Sequence, residues 1–214
     1  NYNGKDFVER CLDSVLKSLY RDFEVIFVDN GSSDGSLEYV REHFGNEPKL
    51  KIIANDVNLG PAGGFNLGAR SADGEILVFL AIDTQVDLYW LDELIDYFLK
   101  YASLGAAQSL LLEMESPNVI QSAGLYLLDY CGWNWRYLSG LPKNVVVDVS
   151  VKNMIAIGAA TGAALAVRRL IFQQVGGFDE RFMIYFDETD LCWRIWLAGY
   201  YVSLVPRSNV YHLG

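Results

Sequence analysis

The chain has 214 residues, 51% hydrophobic and 21% charged, a size and mix that allow one α/β domain with a substantial core and exclude disordered and fibrous classes. Its 27 acidic against 17 basic side chains leave a formal charge of -10, which excludes a protein whose affinity rests on Lys and Arg neutralising nucleic-acid phosphates. Cys11, Cys131 and Cys192 have no metal-ligand spacing and read as reduced packing thiols of a cytosolic protein, and no apolar run reaches the ~18–20 residues of a membrane span. The opening Asn1-Tyr2-Asn3-Gly4 is turn-like, so the chain is expected to be part of a longer polypeptide that lacks its preceding strand here, with a C-terminal extension left open.

In chain order, Phe7, Val8, Cys11, Leu12, Val15, Leu16 and Leu19 recur at helical spacing over residues 7–19, and residues 24–28 form a short buried strand. The polar turn 29–36, with Ser33 or Asp34 as cap, leads into a helix over 36–44. A strand at 50–54, a helix at 61–71, a strand at 76–80 and a helix at 89–101 follow. Strand candidates stand at 106–112, 119–127 and 145–149. Residues 130–144, with Trp133, Trp135 and Tyr137, read as an ordered aromatic loop, open to a role under the core or against a sugar's C–H face. A strand at 163–167, a short helix at 169–175 ending at Gly176-Gly177, and a helix at 188–198 stopped by Gly199 complete the pattern. Alternating strands and helices favour a largely parallel sheet covered on both faces, with ligands at the carboxyl ends of its strands.

Three acidic sites stand at such ends: Asp29, Asp83, and the run Asp187-Glu188-Thr189-Asp190 opening the last helix. Carboxylates there can accept hydrogen bonds from a base or ribose, hold a divalent cation against a diphosphate, or take a proton from an attacking hydroxyl. They can equally begin turns and complement a helix dipole. His43 reads as a solvated last-turn residue, whereas His212 is open between a surface histidine and a metal or diphosphate contact. Glycines 60, 63, 64 and 68 do not form a dinucleotide fingerprint, and the run from Gly158 to Gly162 allows either close backbone approach or small-residue packing.

Several blocks in order resemble family-2 glycosyltransferases, the rhamnosyltransferase-like members above all. They are Asn1-Tyr2-Asn3-Gly4, Val28-Asp29-Asn30-Gly31-Ser32-Ser33-Asp34-Gly35, Asn58-Leu59-Gly60 through Asn66-Leu67-Gly68, Phe79-Leu80-Ala81-Ile82-Asp83-Thr84, and Gly176-Gly177-Phe178-Asp179-Glu180-Arg181-Phe182 with Tyr185 through Arg194. The resemblance implies a GT-A fold, a Rossmann-like mixed sheet that binds a nucleotide diphosphate-sugar with Mg2+ or Mn2+ and transfers the sugar with inversion. By position, Tyr2, Asn3, Asp29, Asn30, Asn58 and Asp83 would meet the donor. Asp83 and His212 would meet the metal, and Glu188, or Asp187 beside it, would be the catalytic base.

The chain departs from that pattern at Ala81, which leaves Asp83 as the lone carboxylate of the family's Asp-x-Asp, and at the order Asp187-Glu188. The expected acceptor is a hydroxyl of a surface glycan or lipid-linked sugar, in the cytoplasm or at the inner membrane face through peripheral association. The rival reading is a non-catalytic nucleotide-sugar-binding or scaffolding protein of the same fold. A nucleotidyltransferase has less support, because Asn1-Tyr2-Asn3-Gly4-Lys5 is not the glycine-rich basic loop such enzymes need.

Overall fold

The computed structural model describes residues 1–127, 134–147, 154–182 and 184–214. Helix α1 (Lys5–Leu16) turns Val8, Cys11, Leu12 and Val15 inward, as the three-and-four spacing requires. Strands β1 (Val25–Asp29) and β2 (Leu50–Ala54) flank helix α2 (Ser36–Phe44) and pair in parallel, with Asp29 opposite Ala54. Helix α3 (Gly60–Arg70) carries Pro61 in its first turn, where no N–H is needed. Strand β3 (Ile76–Leu80), the short β4 (Thr84–Val86) and helix α4 (Trp90–Lys100) follow. Strand β5 (Leu104–Glu113) is buried on both faces, which its apolar run anticipates. Then come β6 (Ile120–Ser122), β7 (Leu125–Leu127), β8 (Asn134–Arg136), α5 (Asn144–Val147), β9 (Ile155–Ala156), β10 (Ala164–Arg168), α6 (Arg169–Gln174), α7 (Asp187–Leu197) and β11 (Tyr201–His212).

The larger sheet runs β3-β10-β5-β11-β4, with β6 on β5 and β9 on β11. It is mixed: β11 lies parallel to β5, while β10 runs against both β3 and β5. Helices cover both faces. Ala62, Ile171, Phe172, Leu191, Cys192 and Ile195 bring α3, α6 and α7 onto one, and Val15, Trp90, Leu91, Leu94 and Phe98 bring α1 and α4 onto the other. Each buried Val, Leu, Ile or Phe among them contributes about 1.5–3 kcal/mol through removal from water. Phe65, Phe79, Phe172 and Phe178 pack with ring centroids 4.9–5.6 Å apart and so fasten α3, β3, α6 and the loop before α7 to one another.

Strands β1 and β2 form a second sheet, separated from β3 by an apolar slot of about 1480 Å³ lined by Val25, Phe27, Ile76, Val78 and Leu80. Asn1 stands at its upper end. The Asn1 nitrogen donates to the Val28 carbonyl at 2.7 Å, and the Asn1 carbonyl accepts from the Asn30 N–H at 2.8 Å, the pairing of a parallel strand neighbour.

Several local expectations change. The strand read over 119–127 breaks into β6 and β7 at Gly124, whose φ of 115° only glycine adopts freely and where a Cβ would stand 2.7 Å from Ile157. The described part of 145–149 is the helical turn α5, because the Val145 and Val146 N–H groups bond back to the carbonyls of Pro142 and Lys143. Neither Ser33 nor Asp34 caps α2. Gly35 does, at φ 81°, and Asp34 Oδ1 instead accepts from the Ser36 N–H. The long strand β11 is hidden in the sequence by Pro206-Arg207-Ser208, which falls at an irregularity between Val205 and Asn209. Cys131, Trp133 and the side chain of Trp135 lie outside the described residues. Among the described residues no helix is long and apolar enough to cross a membrane.

Candidate active site

The polar turn after β1 is built around Asp29, whose carboxylate is 1% exposed. Its Oδ1 accepts from Asn1 Nδ2 at 2.8 Å and its Oδ2 from the Ser32 N–H at 3.0 Å, so the buried charge is met by two donors. Asn1 Nδ2 also donates to Ser32 Oγ and Ser36 Oγ. Asn3, in left-handed backbone at φ 51°, takes its N–H to Ser32 Oγ and its Oδ1 to the Ser33 N–H. Tyr2 is half exposed at the cavity mouth. Gly31 (φ 77°) lets the turn approach Val57, whose backbone would lie 3.0–3.1 Å from an added Cβ.

Asn30 ties this turn to the next loop. Its Nδ2 donates to Asn58 Oδ1 at 2.9 Å and the Gly60 carbonyl at 3.0 Å, while its Oδ1 accepts from Asn55 Nδ2 at 2.9 Å and the Leu59 N–H at 3.2 Å. With the residue 6% exposed, truncation would leave several partners unpaired. Asn30→Ala is expected to cost about 2–3 kcal/mol of stability and lower Tm by roughly 5–10 °C, measured by thermal unfolding.

Asp83 follows β3 and faces His212 at the end of β11, because Thr84 and His212 are paired across β4 and β11. His212 Nε2 lies 3.3 Å from Asp83 Oδ1, and this imidazole is the main reason the Asp83 carboxyl sits below its ordinary value. On its other side His212 Nδ1 lies 2.6 Å from Gln121 Oε1, while Gln121 Nε2 donates to the His212 carbonyl at 3.2 Å. With Nδ1–H donating to Gln121, Nε2 is the ring nitrogen that faces Asp83: it donates to the carboxylate when it carries a proton and offers its lone pair to a cation when it does not. An oxygen and a neutral imidazole nitrogen at this separation fit two adjacent ligands of one divalent cation. Among the described residues no three His, Cys, Asp or Glu side chains cluster.

The third group opens α7. Asp187 is buried and Glu188 half-buried. Burial first, then the hydrogen bond with Asp187 and that neighbour's charge, push the Glu188 carboxyl up to about 8. A carboxyl in that range can take a proton from a hydroxyl near neutral pH. Helix α7 is held against the sheet by the Ala160 N–H donating to Cys192 Sγ at 3.3 Å, and the next residue, Thr161, donates its N–H to Gln108 Oε1 at 2.8 Å. Gln108 in turn donates to the Ser122 carbonyl, next to Gln121. The run from Gly158 to Gly162 thus lies between α7 and strands β5 and β6, the latter carrying Gln121. Asn66 clamps the preceding loop through the Phe178 N–H and carbonyl and Glu180. His43 is exposed and stacked on Tyr39, away from these groups.

Were Glu188 to accept a proton in a reaction, the rate would rise with pH through about 8. In Asp187→Asn the rising limb moves to lower pH, since a neutral neighbour removes one of the forces holding the proton on; a pH–rate profile of both proteins reads this. The same raised value makes Glu188 favour folding fully only below the ordinary carboxyl range, and that stability is lost as pH rises toward 8.

Reasoning from sequence missed Asn1 as the partner of Asp29 and Gln121 as the partner of His212. Asn1 belongs to the Asn1-Tyr2-Asn3-Gly4 turn, whereas nothing local marks Gln121, 91 residues from His212.

The sequence profile of Glycosyl transferase family 2 matches residues 1–146. The chain belongs to that family. This glycosyltransferase is 27% identical over 231 residues to the N-acetylglucosaminyl-diphospho-decaprenol L-rhamnosyltransferase of Mycobacterium tuberculosis, with 99% of the chain and 73% of the relative covered. It is 29% identical over 213 residues to the O-antigen biosynthesis protein RfbC of Myxococcus xanthus, covering 97% of the chain and 16% of that protein. In fold, the glycosyltransferase is similar to a Pyrobaculum calidifontis mannosyltransferase solved with GDP-Man and Mn2+ (TM-score 0.73, 21% identity, 100% of this chain and 55% of that one). It is likewise similar to GalNAc-T7 solved with UDP, GalNAc and Mn2+ (TM-score 0.77, 20% identity, 96% and 41%). These are GT-A folds, and the mixed sheet with helices on both faces agrees. The chain spans only about half the length of these solved structures.

Proposed function

We propose that the chain is a single GT-A catalytic domain that transfers a sugar, rhamnose first, from a nucleotide diphosphate donor to a hydroxyl of a lipid-linked or surface-glycan acceptor, with inversion. The observation that carries the reading is the Asp83–His212–Gln121 arrangement in the same domain as a half-buried Glu188 with a raised pKa. The names of the mycobacterial and Myxococcus relatives support the choice of sugar and acceptor class.

In this reading Asp29 and Asn1 shape the turn that meets the base and ribose, with Tyr2, Asn3, Asn30 and Asn58 around it. Asp83 and Nε2 of His212 would hold a divalent cation, which when bound neutralises charge on the departing diphosphate. Glu188 takes the proton of the acceptor hydroxyl as that oxygen attacks the anomeric carbon and the carbon–diphosphate bond breaks. One base suffices for one displacement. Asp187 keeps the Glu188 pKa high. Work on acceptors at the inner membrane face would need only peripheral association.

The test is calorimetric titration of the folded protein with dTDP, UDP and GDP and their sugars, with and without Mn2+. Mn2+-assisted binding of one nucleotide supports the reading and names the base. Failure to bind any of them overturns it in favour of a scaffolding role.

A further inference from the structure

Among the described residues only four other than glycine have positive φ, and two are consecutive and bulky: Tyr185 (67°) and Phe186 (68°). Each such residue costs of order 1–3 kcal/mol, so a pair persists only where something outside local preference holds it. Core packing does not supply the compensation. Tyr185 is 74% exposed and Phe186 47%, next to Ile184 at 67%. The contrast with Phe178, 3% exposed in the same connection, shows that the fold buries aromatic rings here when it can use them. The Tyr185 hydroxyl has no hydrogen-bond partner among the described residues.

What the strained backbone does is place the rings. Phe186 is the N-cap of α7, its carbonyl accepting from the Asp190 N–H at 2.9 Å, and Asp187 and Glu188 follow directly. Tyr185 and Phe186 thus end the connection that leads into α7, at the same helix end that carries Asp187 and Glu188. Ile184 lines the apolar slot between β1 and β3. A hydroxyl within reach of Glu188 brings the rest of its molecule against whatever flanks that carboxyl. A pyranose offers a polar rim and an apolar C–H face, the latter suited to an exposed aromatic ring.

Resting on the transferase reading above, we infer that Tyr185 and Phe186 form the acceptor subsite, a two-ring platform on which the acceptor pyranose lies with its reacting hydroxyl toward Glu188. The rings are binding residues, and their strain is the cost of presenting them at the surface beside the carboxyl pair.

The experiment measures separate KM values for dTDP-rhamnose and for an N-acetylglucosaminyl diphosphate carrying a short alkyl chain, together with Tm, in wild type, Tyr185→Gly, Tyr185→Phe and Phe186→Ala. Tyr185→Gly and Phe186→Ala are expected to raise the acceptor KM about three- to tenfold, the range one lost stacking contact is worth, with the donor KM unchanged. Tyr185→Phe keeps the ring and stays within about twofold. Tyr185→Gly relieves the left-handed strain and therefore keeps or raises Tm while weakening the acceptor, a split a merely structural residue would not give. Unchanged acceptor KM in both ring-deleted proteins overturns the platform alone. Absence of transfer by folded wild type overturns the functional reading and the platform with it.

Discussion

Glu188→Gln is expected to lower kcat by about 10²–10⁴-fold while leaving donor binding intact, because the amide keeps the size and most of the packing of the side chain but cannot accept the hydroxyl's proton. The carboxyl is half-buried with a value raised to about 8, so the substitution also removes a costly ionisable group, and Tm should hold or rise. Steady-state kinetics with calorimetric donor binding separate the two effects. Asp187→Asn is expected to shift the pH profile and retain most of the limiting rate. If Asp187→Asn instead abolishes turnover and Glu188→Gln does not, the roles within the pair are reversed.

Asp83→Ala is expected to abolish Mn2+-assisted binding of the nucleotide diphosphate and to lower kcat/KM by about 10²–10³-fold, the usual loss when one group that stabilises developing charge is removed. With Ala81 where the family's first Asp stands, Asp83 is the one carboxylate of that motif. Its other consequence is local: His212 would keep Gln121 on Nδ1 but lose its partner at 3.3 Å on Nε2. Titration of Mn2+ and nucleotide into the variant reads the effect directly. Undiminished metal-assisted binding would place the cation elsewhere.

Much of the architecture was legible from periodicity. Residues 36–44, 50–54 and 76–80 form the elements expected of them, and α1, α3, α4, α6 and α7 differ at their ends by one to three residues. These segments bury one face against a single neighbouring layer, so apolar spacing carries the information. The second half was harder to read. Strand β5 is buried on both faces and paired with three other strands, and β11 passes through Pro206-Arg207-Ser208 at a register irregularity. Pairing across the sheet, rather than local preference, defines those strands.

The sequence by itself determined the alternation of helices and strands, the placing of Asp29 and Asp83 after apolar strands and of Asp187-Glu188 at a helix start, and the family to which those blocks belong. Only the tertiary structure decided which partners these groups meet: Asn1 on Asp29 across 28 residues, Gln121 on His212 across 91, and the burial that lifts Glu188. The reason is physical. Periodicity reports which face of an element leaves water, whereas hydrogen-bond partners and carboxyl desolvation depend on atoms from distant strands brought to one edge, which no local window of sequence contains.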